Sequence, residues 1–154
     1  MRIRRLVVCV LVAAGLAACG TIPRDPDATL EQVRTEGLLR VGASPAEGSV
    51  TLENERPVGP EADLVLAFAD ELGVEVSWTL GGETELVAAM ERGELDLLIG
   101  GLLSDSPWAD KVSLTRPYRE STELDETVKH VLAVPLGENA MLVRLERFLD
   151  EADG

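Results

Sequence analysis

The sequence predicts an α/β domain in which a mainly parallel sheet is flanked by helices on both faces. Three observations support this fold class. Amphipathic helical segments alternate with short strand segments between residues 29 and 101. Residues 95–101 form a continuous aliphatic run, as in central parallel strands that are covered on both faces. The chain has 154 residues, enough for one domain, and its composition of 45% hydrophobic but only 3% aromatic residues indicates an aliphatic core.

The beginning of the domain is predicted to hold a short helix, a strand and a long loop. Apolar residues at positions 30 and 33, followed by Gly37, predict a helix over 30–36. Residues 38–42 follow as a strand. Residues 43–60 carry Ser, Gly, Asn and three prolines, so we expect a loop, with or without a small hairpin.

Two helices and two strands then complete a βαβαβ order. Apolar residues every four positions predict a helix over 60–72, and the alternation over 74–80 predicts a half-buried strand. A second helix is predicted over 83–92, ahead of the aliphatic strand 95–101. Because βαβ crossovers are right-handed, the three strands should lie side by side in one parallel array.

The last third of the chain is predicted to return to the same sheet. Residues 104–111 are a polar loop or short helical turn, and 112–115 alternate as a strand. Residues 119–129 are polar and weakly patterned, which we interpret as a linker. A final strand follows at 130–134, and Asn139 is expected to cap a helix with a single apolar stripe.

The N-terminal segment is predicted to be a targeting signal. A basic stretch precedes an apolar run at 6–18 that is too short to span a bilayer comfortably. The sequence Leu-Ala-Ala-Cys-Gly that ends at residue 20 resembles the bacterial lipobox. It predicts a lipoprotein signal peptide at 1–18, a lipidated Cys19 and a tether over 19–28, with the domain at 29–150. An ordinary signal peptide with a chance cysteine is the alternative. Either predicts an extracytoplasmic location, and lipidation would anchor the chain to a membrane.

Composition excludes several function classes. Lys and Arg number 14 against 28 Asp and Glu, and the net charge of -14 disfavours nucleic-acid binding. One His and two Cys leave little for a catalytic triad or a metal cage. The residues around Ser44 weakly resemble a nucleophile elbow, in which the serine lies on a sharp turn from a strand into a helix. Pro45 and the long loop that follows it argue against such a turn. We therefore predict no catalytic residues, no metal and no cofactor.

Several short motifs recur in a familiar order: Leu39-Arg40-Val41-Gly42, Gly59 with Asp63-Leu64, Leu72-Gly73-Val74, Gly93-Glu94-Leu95-Asp96-Leu97, Gly100-Gly101 and Thr115-Arg116-Pro117-Tyr118. Their order and spacing resemble the first lobe of the bacterial extracellular solute-binding proteins of polar amino-acid transporters. The match covers nearly all of 36–118, and the stretch from Lys129 to Leu149 resembles the segment by which that family's chain returns to the first lobe.

The resemblance implies a single-lobe form of the periplasmic-binding-protein fold. Family members carry a second lobe between the Pro-Tyr strand and the return strand, where this chain has only about eleven residues, 119–129. The implied function is to bind a small solute without chemistry, as the binding component of an ABC-type transporter in the membrane. The alternative is a protein-interaction or regulatory module that uses the cleft face against a membrane partner. A decayed gene fragment is a third possibility.

The resemblance, together with the carboxyl ends of the predicted strands, gives seven candidate ligand-binding residues: Ser44, Glu61, Gly101, Ser104, Asp105, Trp108 and Tyr118. Amino-acid binders of the family carry Thr-x-Glu-Arg after Gly-Gly, and its arginine holds the ligand carboxylate. Here Asp105 stands at the threonine position and Trp108 at the arginine position. This departure favours a cationic or aromatic-stacking solute over an ordinary amino acid.

Five of these residues also have a structural interpretation. Trp108 is either a ligand platform or a packed lid at the domain edge, and Asp105 is either a cation ligand or a helix N-cap. Glu61 would favourably place a negative charge at the N-terminus of a helix, Ser44 would cap a loop, and Tyr118 would pack at the hinge. The sequence leaves these alternatives open.

Overall fold

The computed structural model describes residues 25–123 and 126–152, so the predicted signal peptide, Cys19 and most of the tether lie outside the described residues. The helices are α1 (Thr29–Glu36), α2 (Pro60–Leu72), α3 (Glu83–Glu91) and α4 (Asn139–Ala152). The strands are β1 (Leu38–Ala43), β2 (Thr51–Glu53), β3 (Arg56–Val58), β4 (Glu75–Leu80), β5 (Leu97–Ile99), β6 (Val112–Leu114), β7 (Arg119–Glu123), β8 (Glu126–His130) and β9 (Ala133–Pro135).

A five-stranded sheet with the order β4-β1-β5-β9-β6 forms the centre of the domain. Strand β1 pairs in parallel with β4 on one side and with β5 on the other, with Val41 opposite both Trp78 and Leu97. The predicted parallel array of three strands is therefore confirmed. Strand β9 runs antiparallel to both of its neighbours, so the sheet is mixed but mainly parallel.

Apolar side chains cover both faces of this sheet. On one face Leu97 and Ile99 join Phe68 of α2 and Leu145 of α4 in the larger core cluster, which also includes Val33 of α1. Leu98 points to the opposite face and packs in a second cluster with residues of α3. This alternation along β5 explains why its sequence is aliphatic throughout, and it confirms the predicted α/β class with helices on both faces.

Side chains distant in sequence cap two helices. The buried Glu138 carboxylate accepts hydrogen bonds from the backbone N–H groups of Asp27 and Thr29, at the start of α1. The Asp25 carboxylate accepts the N–H of Ala140 in the first turn of α4. The predicted cap by Asn139 is wrong, because this residue is already in the helix and its amide donates to the Gly137 carbonyl. A tertiary contact replaces the local cap.

Within the segment 119–129, interpreted as a linker, strands β7 and β8 instead pair antiparallel as the two arms of a hairpin. Arg119 pairs with His130 at its base, so the predicted strand over 130–134 divides between β8 and β9. The loop after β1 does contain a small hairpin, β2 with β3, whose turn residues have positive φ angles. In the described part of the chain no helix is long and apolar enough to cross a membrane.

Candidate functional site

The loops that follow β1 and β5 touch each other at the carboxyl edge of the parallel strands. The N–H of Ser44 donates to the carbonyl of Ile99 at 3.0 Å. A Cβ atom on Gly100 would lie only 2.6 Å from Cβ of Ser44, and Gly100 has a φ of +146°. Both the space and the backbone conformation therefore require glycine at this position.

A fully buried carboxylate, that of Glu61 in the first turn of α2, organises this edge. Its Oε2 atom accepts hydrogen bonds from the N–H groups of Gly100 at 2.8 Å and Gly101 at 3.1 Å. Its Oε1 atom accepts the hydroxyl of Tyr118 at 2.7 Å. Glu61 thus joins the start of α2, the turn after β5 and the segment that leads into the β7–β8 hairpin.

The phenol of Tyr118 is held in its neutral, hydrogen-donating form. Burial is the main cause that raises the pKa of Tyr118, and the charge and hydrogen bond of Glu61 raise it further. Arg119 lowers the pKa to a smaller extent. The hydroxyl therefore remains a donor to Glu61 at any physiological pH.

Four of the seven predicted site residues, Ser44, Glu61, Gly101 and Tyr118, lie together in this cluster. Ser44 and Glu61 are buried, whereas Gly101 and Tyr118 are part-exposed. Glu61 and Tyr118 contact each other and the turn after β5, so they hold the edge in shape. Solvent reaches the cluster at Gly101 and Tyr118. Their role toward a ligand stays a prediction.

The other three predicted residues lie on the loop between β5 and β6. Ser104 and Asp105 are exposed, and the N–H of Ser104 donates to the carbonyl of Lys129 in β8. No helix begins at Asp105, because residues 104–111 form turns, so the helix N-cap interpretation is wrong for this carboxylate. Trp108 is part-exposed and packs against the core cluster that includes α3, while its indole N–H donates to Glu83 at 3.0 Å.

Arg119 is a residue of this region that the sequence interpretation missed. Its Nη1 atom lies 3.4 Å from the carbonyl oxygen of Gly48, and its Nη2 atom lies 3.2 Å from Oγ of Ser49 and 3.4 Å from Nδ1 of His130. The other ring nitrogen of His130 hydrogen-bonds the hydroxyl of Ser121 at 2.7 Å. The signal was an arginine directly after the Pro-Tyr pair, which was assigned to a linker.

A groove of about 290 Å³ runs beside the base of this hairpin. It is mostly apolar, and it is lined by Pro60, Leu64, Tyr118, Arg119, Leu149 and Ala152. Within residues 25–123 and 126–152 no group of three or more His, Cys, Asp or Glu side chains is arranged to hold a metal ion. The groove therefore presents apolar surface next to the phenol of Tyr118 and the guanidinium of Arg119.

A family model, curated relatives and solved structures are each similar to this chain. The family model of bacterial extracellular solute-binding proteins, family 3, matches residues 39–153. Membrane-bound lytic murein transglycosylase F of Vibrio vulnificus (strain YJ016) is 30% identical over 102 residues, which is 66% of this chain and 19% of that protein. The chain therefore spans about a fifth of the length of this curated relative.

Two solved structures share the fold at low sequence identity. One is the arginine-bound form of domain 1 from TmArgBP, with a TM-score of 0.68 and 23% identity over 78% of this chain and 97% of that one. The other is an ancestral cationic amino acid solute-binding protein, with a TM-score of 0.71 and 15% identity over 80% of this chain and 93% of that one. The first comparison matches this chain to a single domain of a solute-binding protein.

Proposed function

The chain belongs to family 3 of the bacterial extracellular solute-binding proteins, and we propose that it binds a small solute outside the cytoplasm without transforming it. One observation carries the proposal: the turn at Gly100 and Gly101, fixed by the buried Glu61, meets the loop after β1 at the carboxyl edge of the sheet. Open α/β sheets bind their ligands at this edge.

A single lobe is expected to be sufficient for binding. The described residues form one lobe, and nearly all of an arginine-bound single domain aligns with this chain. A lobe without an opposite wall leaves one side of the ligand in water, whereas high-affinity sites bury 70–90% of a ligand. We therefore expect a weaker affinity than that of a closed two-lobed cleft.

The charge around the edge favours a solute that carries a positive group. Asp105 is exposed on the loop next to the turn, and the whole chain has a net charge of -14. Trp108 offers a part-exposed indole on the same loop. A carboxylate and an indole both attract a cation, so a basic amino acid, a polyamine or a cationic aromatic molecule suits these two residues.

The binding test is calorimetric titration of the purified chain with amino acids, polyamines and other small cations. Micromolar binding of one class, weakened by Asp105→Asn and Trp108→Ala, supports the proposal. Asp110→Asn is the matched control, because Asp110 is an exposed acid on the same loop. Binding that neither substitution weakens would remove Asp105 and Trp108 from the site. If no solute binds, and Trp108→Ala instead abolishes capture of a membrane protein, the chain is an interaction module.

We further propose that the chain is a lipoprotein that presents its solute to an ABC-type transporter. The lipobox at Cys19 and the membrane-bound relative support this location. Labelling with radioactive palmitate in a bacterial host tests the anchor. Cys19→Ser should abolish the label and release the protein from membranes, while Cys9→Ser should change neither. Label that persists in Cys19→Ser would overturn the lipid anchor and leave solute binding untouched.

No catalytic activity is proposed. The transglycosylase relative is matched over only 19% of its length, so its name transfers no activity to this chain. Around Glu61 the polar groups are two backbone N–H groups, its own buried carboxylate bound by three donors, and the neutral phenol of Tyr118. None of these is a free base or nucleophile. Incubation of a bound solute with the chain should therefore return it chemically unchanged.

A further inference from the structure

We propose that Arg119 binds a carboxylate group of the solute, so that the ligand of this chain is a carboxylate-bearing molecule. The inference rests on the proposed solute binding and names the chemical class of the ligand. Neither the family match nor the sequence interpretation assigns a role to Arg119, which belongs to the hairpin that was expected to be a linker.

The contacts of the Arg119 guanidinium among the described residues are long, and none of them is to a carboxylate. Its three contacts, to a backbone carbonyl, a serine hydroxyl and an imidazole nitrogen, measure 3.2–3.4 Å. Arg40, by contrast, contacts the carboxylate of Asp96 at 2.5–3.0 Å. The Nε atom of Arg119 is buried and has no hydrogen-bond partner in the described part of the chain. Two of the five N–H donors of this guanidinium, including the buried Nε–H, therefore have no partner among the described residues.

Arg119 forms no ion pair with any carboxylate of the described residues, although the protein is strongly acidic. Among the described residues, four arginines take part in no ion pair. Arg34, Arg56 and Arg147 are exposed, so water solvates their charge, whereas Arg119 is part-buried. A part-buried cation without a counter-charge is unfavourable unless an anion reaches it. A bound carboxylate would supply that charge and replace the two weakest contacts.

The position of Arg119 joins it to the proposed binding edge. Its Nη2 atom contacts Oγ of Ser49, and the same oxygen would lie 3.4 Å from a Cβ atom on Gly101. Arg119 also lines the groove of about 290 Å³ beside Tyr118 and the start of α2. A small molecule can therefore reach the side chain from solvent, within a few ångströms of the Gly101 turn.

Arg119 provides a guanidinium at the same edge where position 108 lacks one. Trp108 stands where the family resemblance expects the arginine that holds a ligand carboxylate, and it contacts Glu83 instead. Arg119 supplies a guanidinium to the same edge from strand β7. One guanidinium matches one carboxylate in a bidentate pair, whereas the net charge of -14 repels multiply charged anions such as phosphate esters.

Matched pairs of solutes that differ only by the carboxylate test the inference: L-arginine with agmatine, L-lysine with cadaverine and L-tryptophan with tryptamine. In calorimetric titrations of the full chain, we expect the amino acid of the binding pair to bind about ten- to a hundredfold more tightly than its amine. Arg119→Gln should abolish this preference, and Arg119→Lys should retain only part of it. Arg56→Gln, at an exposed arginine without an ion pair, should leave it intact.

The outcomes separate the two proposals. Equal binding of the amino acid and its amine, or an Arg119→Gln variant that keeps the preference, overturns the role of Arg119 while solute binding stands. Binding of no solute overturns the proposed function and this inference together. Thermal unfolding of each variant shows that it is folded. Should Arg119→Gln not fold, the comparison of each pair in the unmodified chain and in Arg119→Lys still decides the question.

Discussion

The hydroxyl of Tyr118 donates a 2.7 Å hydrogen bond to Oε1 of Glu61, and the other oxygen of that carboxylate holds the backbone of Gly100 and Gly101. A single buried carboxylate therefore fixes a helix start, a strand end and the base of a hairpin. Because the donors are two backbone N–H groups and a phenol, the charge is stabilised by hydrogen bonds rather than by an ion pair.

Glu61→Ala should destabilise the fold, because it leaves the buried N–H of Gly100 and two part-buried donors, the N–H of Gly101 and the hydroxyl of Tyr118, without their acceptor. A buried donor without an acceptor costs about 1–3 kcal/mol, and water can reach the other two, so we expect the free energy of unfolding to fall by about 2–3 kcal/mol. Urea denaturation followed by circular dichroism measures this change. Asp63→Asn is the matched control, since Asp63 is an exposed acid on the same turn of α2 and should cost less than about 1 kcal/mol. Equal effects of the two substitutions would contradict the assigned role of Glu61.

Tyr118 is the one tyrosine of the sequence, so absorbance at 295 nm reports its ionisation alone. Burial, with help from Glu61, raises its pKa, and we expect no tyrosinate in the native protein near pH 10. In guanidinium chloride the same residue should titrate near the ordinary value of about 10. As the pH rises past this value, the unfolded state loses the proton first. The contribution of Tyr118 to stability is therefore complete below pH 10 and declines above it. A native titration midpoint near 10 would refute the buried hydrogen bond.

Local sequence patterns predicted the sheet and its helices well, because the burial of a helix or strand shows in the hydrophobic pattern of its own residues. The four-residue apolar spacing of α2 indicates one buried face, and the aliphatic run at β5 indicates two. The structure confirms both. Strand β5 nevertheless begins two residues later than predicted, at Leu97, and it ends two residues earlier, after Ile99, because Gly100 and Gly101 have positive φ angles. Hydrophobicity alone does not reveal where such a turn begins.

The contacts that build the edge were not predictable in this way, because they join residues far apart in the chain. Glu61 is 39 residues from Gly100, and Glu138 caps a helix 109 residues away. The hairpin at 119–130 was missed because two polar strands with exposed faces carry no alternation of hydrophobicity. Arg119 was overlooked for the same reason, since its position depends on the pairing with His130 and not on its own neighbours in sequence.

Gly100→Ala should destabilise the turn after β5. The added methyl group would lie 2.6 Å from Cβ of Ser44 and 2.7 Å from its carbonyl oxygen, and the φ of +146° disfavours any side chain. We expect a loss of roughly 2 kcal/mol or more in the free energy of unfolding, with weaker solute binding if the turn moves. Gly82→Ala is the control, because a Cβ atom there meets nothing within 4 Å and φ is negative. Its stability should stay within about 0.5 kcal/mol of the parent.

Asp96→Ala should show how much stability comes from the edge of the sheet opposite the proposed binding loops. The carboxylate of Asp96 is almost fully buried and accepts hydrogen bonds from the backbone N–H and the guanidinium of Arg40, which ties the start of β5 to β1. Removal of a buried partner costs about 3–5 kcal/mol. Because the Arg40 side chain is 31% exposed and water can solvate its charge, we expect a smaller loss, about 2 kcal/mol.

The control for Asp96 lies two residues away. Glu94 forms an ion pair of similar length with Arg92, but both side chains are more than half exposed. Arg92 lowers the pKa of Glu94, yet a solvent-exposed pair contributes little to stability, so Glu94→Gln should leave the urea midpoint unchanged. The comparison distinguishes burial from charge as the source of stability. If Glu94→Gln were as damaging as Asp96→Ala, the connection between β1 and β5 would depend on net charge and not on the hydrogen bonds of Asp96. The stability of the proposed binding edge, at the far end of the same two strands, would then depend on salt, which denaturation at high ionic strength would reveal.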